Sequence, residues 1–361
     1  MNVIVVGAGA IGGYVGARLA LTGHEVTLVG RRPLAEAVAA RGLHLIEPGA
    51  QFDITNCRVV TSVADAFAGE AHFDLALFTV KTYDTQATLD ELRPFADGIV
   101  RFLSLQNGVN SEELLGEAFG RDRVMAGTIL NPVTVPAPGA VMLEKRKGGI
   151  GIARVGASTN GPTHHPSNSP TLHLSTYLRH AGFVVREYAD YRAMKWSKLL
   201  LNLIGNASSA ILDLNTMQVF ADRRAFGIEI AALREAVRVA RAGGIRFVSL
   251  PGYPVPLLAA ALRFLPMALL QPVMKPLVGG GRGRKMPSLH VDLSSGKRRS
   301  EVDELNGSVV RTGQRLNIPT PANALLTSTL NDLIAGCADR SAWRHQADRL
   351  WAEYGSALRR L

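Results

Sequence analysis

The chain has 361 residues, of which 47% are hydrophobic, 19% charged and 6% aromatic. This composition excludes a largely disordered chain, and the length predicts two domains with a sizeable core. The two cysteines, Cys57 and Cys337, form no CxxC pair, which excludes a disulfide framework and a cysteine-rich zinc site. The first residues carry no basic, cleavable leader, and we therefore expect a cytoplasmic protein.

The formal net charge of +10 suits either a nucleic-acid binder or an enzyme that handles anionic ligands. The basic residues are spread along the chain. The two clusters, at 282–285 and 297–299, have no aromatic residue within or between them to stack on bases. We therefore expect no nucleic-acid partner.

Strands and helices alternate in the first half of the chain. Apolar runs predict strands at 2–6, 25–29, 73–81 and 99–105, short strands near 43–46 and 57–60, and helices at 10–22, 84–93 and 111–118. Short β-segments over 124–153, a helix at 171–181 and a strand at 183–188 follow. This alternation predicts an α/β domain with a parallel, doubly wound sheet.

Strand signals nearly vanish after residue 190. Helical patterns cover 192–212, 216–242, 256–280, 286–295, 301–316 and 320–334. We predict an α/β domain over residues 1–189 and an all-α domain over residues 190–361.

One apolar stretch, residues 250–280, is long enough to span a membrane. Two charged residues, Arg263 and Lys275, interrupt it, and so do six prolines, Pro251, Pro254, Pro256, Pro266, Pro272 and Pro276. Prolines in this number exclude a spanning helix. A buried helical pair, a lid, peripheral membrane contact or a contact between subunits of a homodimer all stay open.

The N-terminus carries a glycine motif, G-x-G-x-x-G, formed by Gly7, Ala8, Gly9, Ala10, Ile11 and Gly12. It follows a predicted buried strand and opens a predicted helix, which is the context that a dinucleotide requires. Gly7 allows the tight turn, Gly9 lets a pyrophosphate approach the backbone, and Gly12 lets helix and strand pack closely. We predict a dinucleotide site here.

The end of the second strand reads Val29-Gly30-Arg31-Arg32, without the Asp or Glu that would bind the ribose 2′-hydroxyl of NAD. Guanidinium groups suit a 2′-phosphate, so Arg31 and Arg32 favour NADP(H) over a solvated basic turn.

Lys81 and Asn107 end two further strands and are expected at the same edge of the sheet. Lys81 is expected to neutralise a phosphate or a substrate carboxylate. Asn107 is expected to hold the nicotinamide ribose or the substrate, although Asn-Gly is also common in ordinary turns.

A polar stripe is predicted on the first helix of the second domain. Lys198, Asn202 and Asn206 are spaced i, i+4, i+8 within an apolar sequence, and on one continuous helix they would share a face. Buried lysine and asparagine are costly unless they line a site. Lys198 is a candidate general acid for the oxygen of a ketone that receives a hydride. Further on, Ser300 is a candidate N-cap, which also gives Glu301 a purely structural explanation as a first-turn carboxylate.

In combination, these motifs resemble the 2-dehydropantoate 2-reductase (ketopantoate reductase) family. The resemblance rests on residues 7–13, Thr79-Val80-Lys81, residues 106–109, Lys195-Trp196-Ser197-Lys198 with Asn202 and Asn206, Pro287-Ser288, and residues 301–307, all in family order. It implies a Rossmann domain followed by a helical domain of the 6-phosphogluconate dehydrogenase type. The implied reaction is the NADPH-dependent reduction of ketopantoate to D-pantoate, a step towards pantothenate.

The resemblance also implies roles for individual residues. Lys198 would be the general acid and Glu301 a catalytic, substrate-holding carboxylate. Asn202, Asn206 and Ser288 would contact the substrate, and Lys81 and Asn107 would contact cofactor and substrate. No metal is implied.

The chain departs from the family where Leu289-His290-Val291 replaces a usual Met-Leu-Gln. Two alternatives therefore stay open: a paralogue that reduces a different 2-oxo acid, and a non-catalytic NADP-binding sensor or interaction protein.

Overall fold

The computed structural model describes residues 1–69, 71–156, 170–272, 274 and 285–360. The chain forms two compact units. One comprises Met1–Lys195 with Ser249–Tyr253, and the other comprises Trp196–Val248 with Pro254–Leu361.

The strands lie in the first unit. In chain order they are β1 (Asn2–Val6), β2 (Glu25–Val29), β3 (Leu43–Glu47), β4 (Ala50–Ile54), β5 (Cys57–Val60), β6 (Phe73–Phe78), β7 (Ile99–Ser104), β8 (Val124–Ile129), β9 (Val133–Ala137), β10 (Ala140–Leu143), β11 (Ile150–Arg154) and β12 (Val185–Tyr188).

The described helices, in chain order, are α1 (Ala10–Leu21), α2 (Arg32–Arg41), α3 (Val63–Ala66), α4 (Thr85–Leu92), α5 (Ser111–Phe119), α6 (Pro170–His180), α7 (Tyr191–Leu203), α8 (Ala207–Leu212), α9 (Thr216–Ala221), α10 (Arg223–Ala242), α11 (Val255–Phe264), α12 (Ser288–Ser294), α13 (Asn306–Arg315), α14 (Pro321–Ala335) and α15 (Ala347–Leu358). Short 3-10 helices lie at Thr82–Asp84, Arg93–Gly98, Arg121–Arg123, Glu301–Asp303 and Arg340–Ala342.

An eight-stranded sheet forms the first unit, in the order β12-β11-β8-β7-β6-β1-β2-β5. All its neighbouring strands are parallel except β8 and β11, which run antiparallel. Fully buried residues of β1 and α1, among them Val3, Val5, Val15 and Leu19, belong to one apolar core. The predicted doubly wound α/β domain is confirmed, but the sheet is mixed and not wholly parallel as predicted, because β11 returns antiparallel beside β8.

A second, four-stranded sheet has the order β4-β3-β10-β9. Its hairpin β3–β4 turns at Pro48-Gly49, where Gly49 has φ +80°. The sequence predicted β3 near 43–46 but neither β4 nor the helix α2. Helix α2 buries only Val38, so its sequence carries almost no apolar periodicity to detect.

All the regular secondary structure described in the second unit is helical, as predicted. None of the described helices is long and apolar enough to cross a membrane. The predicted helices 216–242 and 301–316 are each divided, the second into the 3-10 helix Glu301–Asp303 and α13. Asp222 ends the pattern at 216–242, because its Oδ1 caps α10 by accepting from the backbone N–H groups of Arg224 (2.9 Å) and Ala225 (2.8 Å). The predicted helix 256–280 begins as α11, and much of its second half lies outside the described residues.

The prediction of one continuous helix over 192–212 is wrong, because α7 ends at Leu203 and α8 begins at Ala207. Gly205, with φ +60°, makes the break, and a Cβ at this position would collide with the side chain of Thr216. The carboxylate of Glu229, on α10, holds the broken segment: it accepts from Gly205 N (2.7 Å) and from Ser208 Oγ (2.6 Å).

We expect Glu229→Ala to destabilise the chain by about 3 kcal/mol, because the substitution strands buried donors that Glu229 now satisfies. Glu229 is 2% exposed, so bulk water does not reach the donors that the shortened side chain would leave unpaired. Chemical denaturation of the purified variant measures the change. Glu353→Ala, on the exposed side of α15, is the control and should stay within about 0.5 kcal/mol of wild type. A Glu229 variant as stable as the control would contradict this account of the break.

Candidate active site

The glycine turn connects β1 to α1. Gly7 has φ +99°, which favours glycine, and Ala8 N donates to Val29 O at 3.0 Å. Gly9 is the exposed N-cap of α1, and Ala10 and Ile11, both half-buried, open the helix. The first turn carries no acidic residue, so its N–H groups face no competing negative charge from that turn.

Gly12 is the point of closest approach between α1 and the sheet. A Cβ on Gly12 would collide with the carbonyl oxygen of Gly7 and with Oγ1 of Thr79. The Thr79 hydroxyl in turn donates to Gly7 O at 2.8 Å and to Val6 O at 3.1 Å. At Gly9, by contrast, an added Cβ would meet nothing within 4 Å. Gly12 therefore serves the packing, and Gly9 leaves open space above the turn.

The predicted cofactor residues follow the ends of four neighbouring strands. The sheet places β2, β1, β6 and β7 side by side and parallel. Arg31, Gly7, Lys81 and Asn107 come after these strands in the same order, so the fold brings all four to one edge of the sheet.

Arg31 and Arg32 differ in what surrounds them. Both are exposed at the start of α2, where Arg31 is the N-cap. Arg32 Nε is engaged by Glu36 Oε1 at 2.7 Å. Arg31 makes no ion pair within the described part of the chain. Arg31 is therefore the arginine of the two that remains available to an anionic ligand.

A buried glutamine ties the segments of Lys81 and Asn107 together. Gln106, directly before Asn107, donates from Nε2 to Val80 O and to Thr85 Oγ1, both at 2.9 Å. Val80 directly precedes Lys81, and both predicted cofactor residues are half-buried. The two strand ends thus share one hydrogen-bonded anchor.

In the helical unit, Lys198 and Asn202 lie one turn apart on α7, as predicted, with Lys198 half-buried and Asn202 buried. Asn206 does not share their helix, because it follows the break at Gly205. Its amide Nδ2 donates to Asn202 O (3.2 Å) and to Ser288 Oγ (3.4 Å), while Oδ1 accepts from Leu289 N (3.1 Å). Asn206 therefore contacts Asn202 and Ser288 from the segment that follows the break, and it does not share a helix face with Asn202.

Ser288 is the exposed first residue of α12. On the same helix, His290 Nε2 contacts Asp213 Oδ1 at 2.5 Å, and Asp213 also pairs with Arg344 (2.8 Å) and Arg340 (3.4 Å). The hydrogen bond from His290, followed by the two arginines, lowers the pKa of Asp213. The histidine that distinguishes this chain from the family pattern thus anchors the helix that presents Ser288.

Glu301 is 3% exposed and opens the 3-10 helix Glu301–Asp303. The prediction of Ser300 as N-cap is confirmed, since its Oγ accepts from Val302 N at 3.1 Å. Within the described ranges, no group of three or more His, Cys, Asp or Glu side chains is placed to hold a metal ion.

Sequence reasoning overlooked the part played by Lys195 and Glu112. Lys195 Nζ lies 2.7 Å from Glu112 Oε1 and donates to Gln106 O at 2.7 Å, with both side chains essentially unexposed. A signal was present in the Lys-Trp-Ser-Lys segment, which holds two lysines three residues apart on a largely buried helix.

Two family models match most of the chain. "Ketopantoate reductase PanE/ApbA" matches residues 3–156, and "Ketopantoate reductase PanE/ApbA C terminal" matches residues 190–333. The 2-dehydropantoate 2-reductase of Pyrococcus horikoshii is 29% identical over 329 residues, which cover 90% of this chain and 95% of that protein. That of Caulobacter vibrioides is 28% identical, covering 91% and 98%.

Two solved structures are also similar to the chain. A PanE/ApbA family ketopantoate reductase from Ralstonia eutropha JMP134 matches with a TM-score of 0.74 and 30% identity, covering 93% of this chain and 99% of that one. A ternary structure of D-mandelate dehydrogenase with NADH and anilino(oxo)acetate matches with a TM-score of 0.75 at 20% identity, covering 93% and 99%. The second likeness shows that the fold is shared.

Two alanine substitutions in the glycine turn should separate folding from binding. Gly12→Ala should lower the thermal unfolding temperature, because its Cβ has no room beside Gly7 and Thr79. Gly9→Ala should keep the wild-type unfolding temperature and weaken dinucleotide binding, because its Cβ enters the open space above the turn. Thermal melts and cofactor fluorescence titrations measure the two effects. Unchanged dinucleotide affinity in a folded Gly9→Ala variant would contradict this assignment.

Proposed function

The chain belongs to the ketopantoate reductase family, a family of oxidoreductases acting on a C=O or CH-OH group, and we propose that it reduces 2-dehydropantoate to D-pantoate with NADPH. In this proposal Lys198 is the general acid. The names of the relatives support the substrate, and the arrangement of residues within each unit supports the roles given below.

The observation that carries the proton-donor assignment is the unequal burial of two lysines on α7. Lys195 is 1% exposed and its Nζ is enclosed by Glu112, Gln106 O and, at 3.4 Å, Gly127 O. A lysine so enclosed has no route to a substrate oxygen. Lys198, one turn later, is half-buried, which suits a group that must meet a substrate and then regain a proton from water.

The residues at the sheet edge fit a phosphorylated dinucleotide. Gly9 would hold the pyrophosphate against the first turn of α1, and Arg31 would bind a 2′-phosphate with charge-assisted hydrogen bonds. Lys81 would neutralise a further phosphate or the substrate carboxylate. The sheet edge offers no acidic residue at the end of β2 that would select NAD.

NADPH, when bound, supplies the hydride that the keto carbon receives. As that carbon is reduced, negative charge develops on its oxygen, and the Lys198 ammonium stabilises this charge and donates a proton to the oxygen. The product hydroxyl then holds that proton, and Lys198, left as a neutral amine, is reprotonated from solvent.

The remaining predicted residues would position the substrate. The exposed hydroxyl of Ser288 would bind a polar group of the keto acid, and Asn206 would hold that hydroxyl in place through its contacts with Ser288 Oγ and Leu289 N. Asn107 and Asn202 would offer amide groups to the substrate or the nicotinamide ribose. Glu301 would accept a hydrogen bond from a substrate hydroxyl.

Removing the proposed acid tests the mechanism. We expect Lys198→Ala to lower kcat for ketopantoate by about 10²- to 10⁴-fold, because the proton donor is lost. The dissociation constant for NADPH should not change. The rate is measured by NADPH oxidation, and Lys145→Ala, at an exposed lysine, is the matched control expected to keep wild-type turnover.

Near-wild-type turnover in Lys198→Ala would exclude the lysine as the acid. Wild-type enzyme should be assayed on a panel of 2-oxo acids that includes ketopantoate. Turnover of another member alone would replace the substrate, and NADPH binding without turnover of any member would favour a sensor.

The cofactor preference should depend on Arg31 more than on Arg32. We expect Arg31→Ala to weaken NADPH about 10- to 100-fold with little effect on NADH, because a charge-assisted bond to the 2′-phosphate is lost. Arg32→Ala is the matched variant and should cost less, since Glu36 already engages that guanidinium. Kinetics with both cofactors measure the ratio. If the double variant Arg31→Ala/Arg32→Ala kept the NADPH preference of wild type, the 2′-phosphate assignment would be rejected.

A further inference from the structure

The buried ion pair of Lys195 and Glu112 lies outside the chemistry described above. Lys195 is 1% exposed and Glu112 is fully buried, with Nζ and Oε1 at 2.7 Å. Glu112 stands in the first turn of α5, where a carboxylate is favoured by the helix dipole. Both residues belong to the first compact unit.

The pair is not well suited to stabilising the fold. Both carboxylate oxygens of Glu112 are buried, and within the described ranges neither accepts a well-aligned hydrogen bond, although Oε1 lies 2.7 Å from Lys195 Nζ. Desolvating two charges is expensive, and a buried pair with an unsatisfied oxygen recovers only part of that cost. Replacing such pairs with apolar residues of similar size is often neutral or stabilising. A role other than stability would account for this pair.

The contacts of Lys195 point to such a role. Its Nζ donates to Gln106 O at 2.7 Å, and Gln106 immediately precedes Asn107. The side chain of Gln106 donates to Val80 O, immediately before Lys81. One buried ammonium therefore fixes the backbone entering Asn107 and, through one further residue, the backbone entering Lys81.

We propose that Lys195 and Glu112 form a positioning pair for the turn of Asn107. Glu112 orients the ammonium, the ammonium holds the carbonyl of Gln106, and the Asn107 amide is thereby aimed at the nicotinamide ribose or the substrate. The pair takes no part in proton transfer. This inference rests on the proposed function, since it concerns a residue that the proposal places in the site.

The test replaces both charges together, because removing one alone would strand the other in the core. Lys195→Met/Glu112→Leu should unfold at or above the wild-type temperature, yet lower kcat/KM for the keto acid about 10- to 100-fold, because small misplacements of binding groups cost rates of this order. The same exchange at a more exposed pair, Arg179→Met/Glu187→Leu, is the control and should keep wild-type kinetics. A folded double variant with wild-type kcat and KM would overturn the proposal.

A second readout asks whether the pair acts through Asn107. Removing the pair from an Asn107→Ala background should cost much less activity than removing it from wild type, because the positioned amide is already absent. Additive losses would overturn the proposal. Lys195→Met/Glu112→Gln, a second neutral pair, replaces the first if that fails to fold. Failure of both neutral pairs to fold would assign the ion pair to stability and also overturn the proposal.

Wild-type turnover separates the two proposals. If wild type does not reduce ketopantoate, the substrate assignment fails, and the pair is then tested on whichever 2-oxo acid wild type reduces. If wild type reduces none, the same variants, with and without Asn107→Ala, are compared by their affinity for NADPH, which Asn107 is also expected to influence. The ratio of variant to wild type, and not the absolute rate, decides the role of the pair.

Discussion

The close approach of α1 to the sheet at Gly12 is the constraint on which the first unit depends. A Cβ there has no room beside Gly7 O and Thr79 Oγ1. Because the helix packs so closely, its first turn stands directly above the ends of β1 and β6, and Thr79 adds a hydrogen bond from its own strand end to the turn. Lys81, two residues after Thr79, therefore lies on the same edge as the glycine turn.

In the helical unit, buried carboxylates have the corresponding importance. Glu229 holds the break that separates Asn202 from Asn206. Glu235, whose pKa is raised by burial, accepts from Ala322 N and Asn323 N, both at 2.9 Å, at the start of α14. Asn323 in turn accepts from Asn306 Nδ2 at 3.0 Å. Long helix α10 thus uses acidic side chains, set among apolar ones, to fix backbone segments far away in sequence.

The elements predicted well from sequence are those whose signals are local. A run such as residues 2–6 followed by the glycine motif specifies strand, turn and helix within a few residues, and Ser300 specifies its cap in the same way. The break at Gly205 was not predictable, because the i+4 spacing of polar residues favours a continuous helix. The carboxylate that holds the break, that of Glu229, lies 24 residues later.

Some residues of the candidate site could likewise be predicted from sequence, and others could not. Sequence placed Lys81, Asn107 and the glycine motif at one sheet edge because strand order follows general topological rules. It could not assign Lys195, whose partners Gln106 and Glu112 lie more than 80 residues earlier and are joined to it only by folding. Likewise, His290 stood out as a departure from the family, but its partner Asp213 was not recognisable from any local pattern.

The position of Lys195 along the chain bears on whether the nucleotide-binding part can exist as a module of its own. The α/β pattern of the first unit ends before residue 190. The cation that neutralises Glu112, however, is residue 195, on α7. A fragment cut where the last strand ends would retain a buried carboxylate with its counter-ion removed. The charge balance of the first unit is thus completed by the helix that also carries Lys198, so recombination at the end of the last strand would not yield an intact nucleotide-binding module.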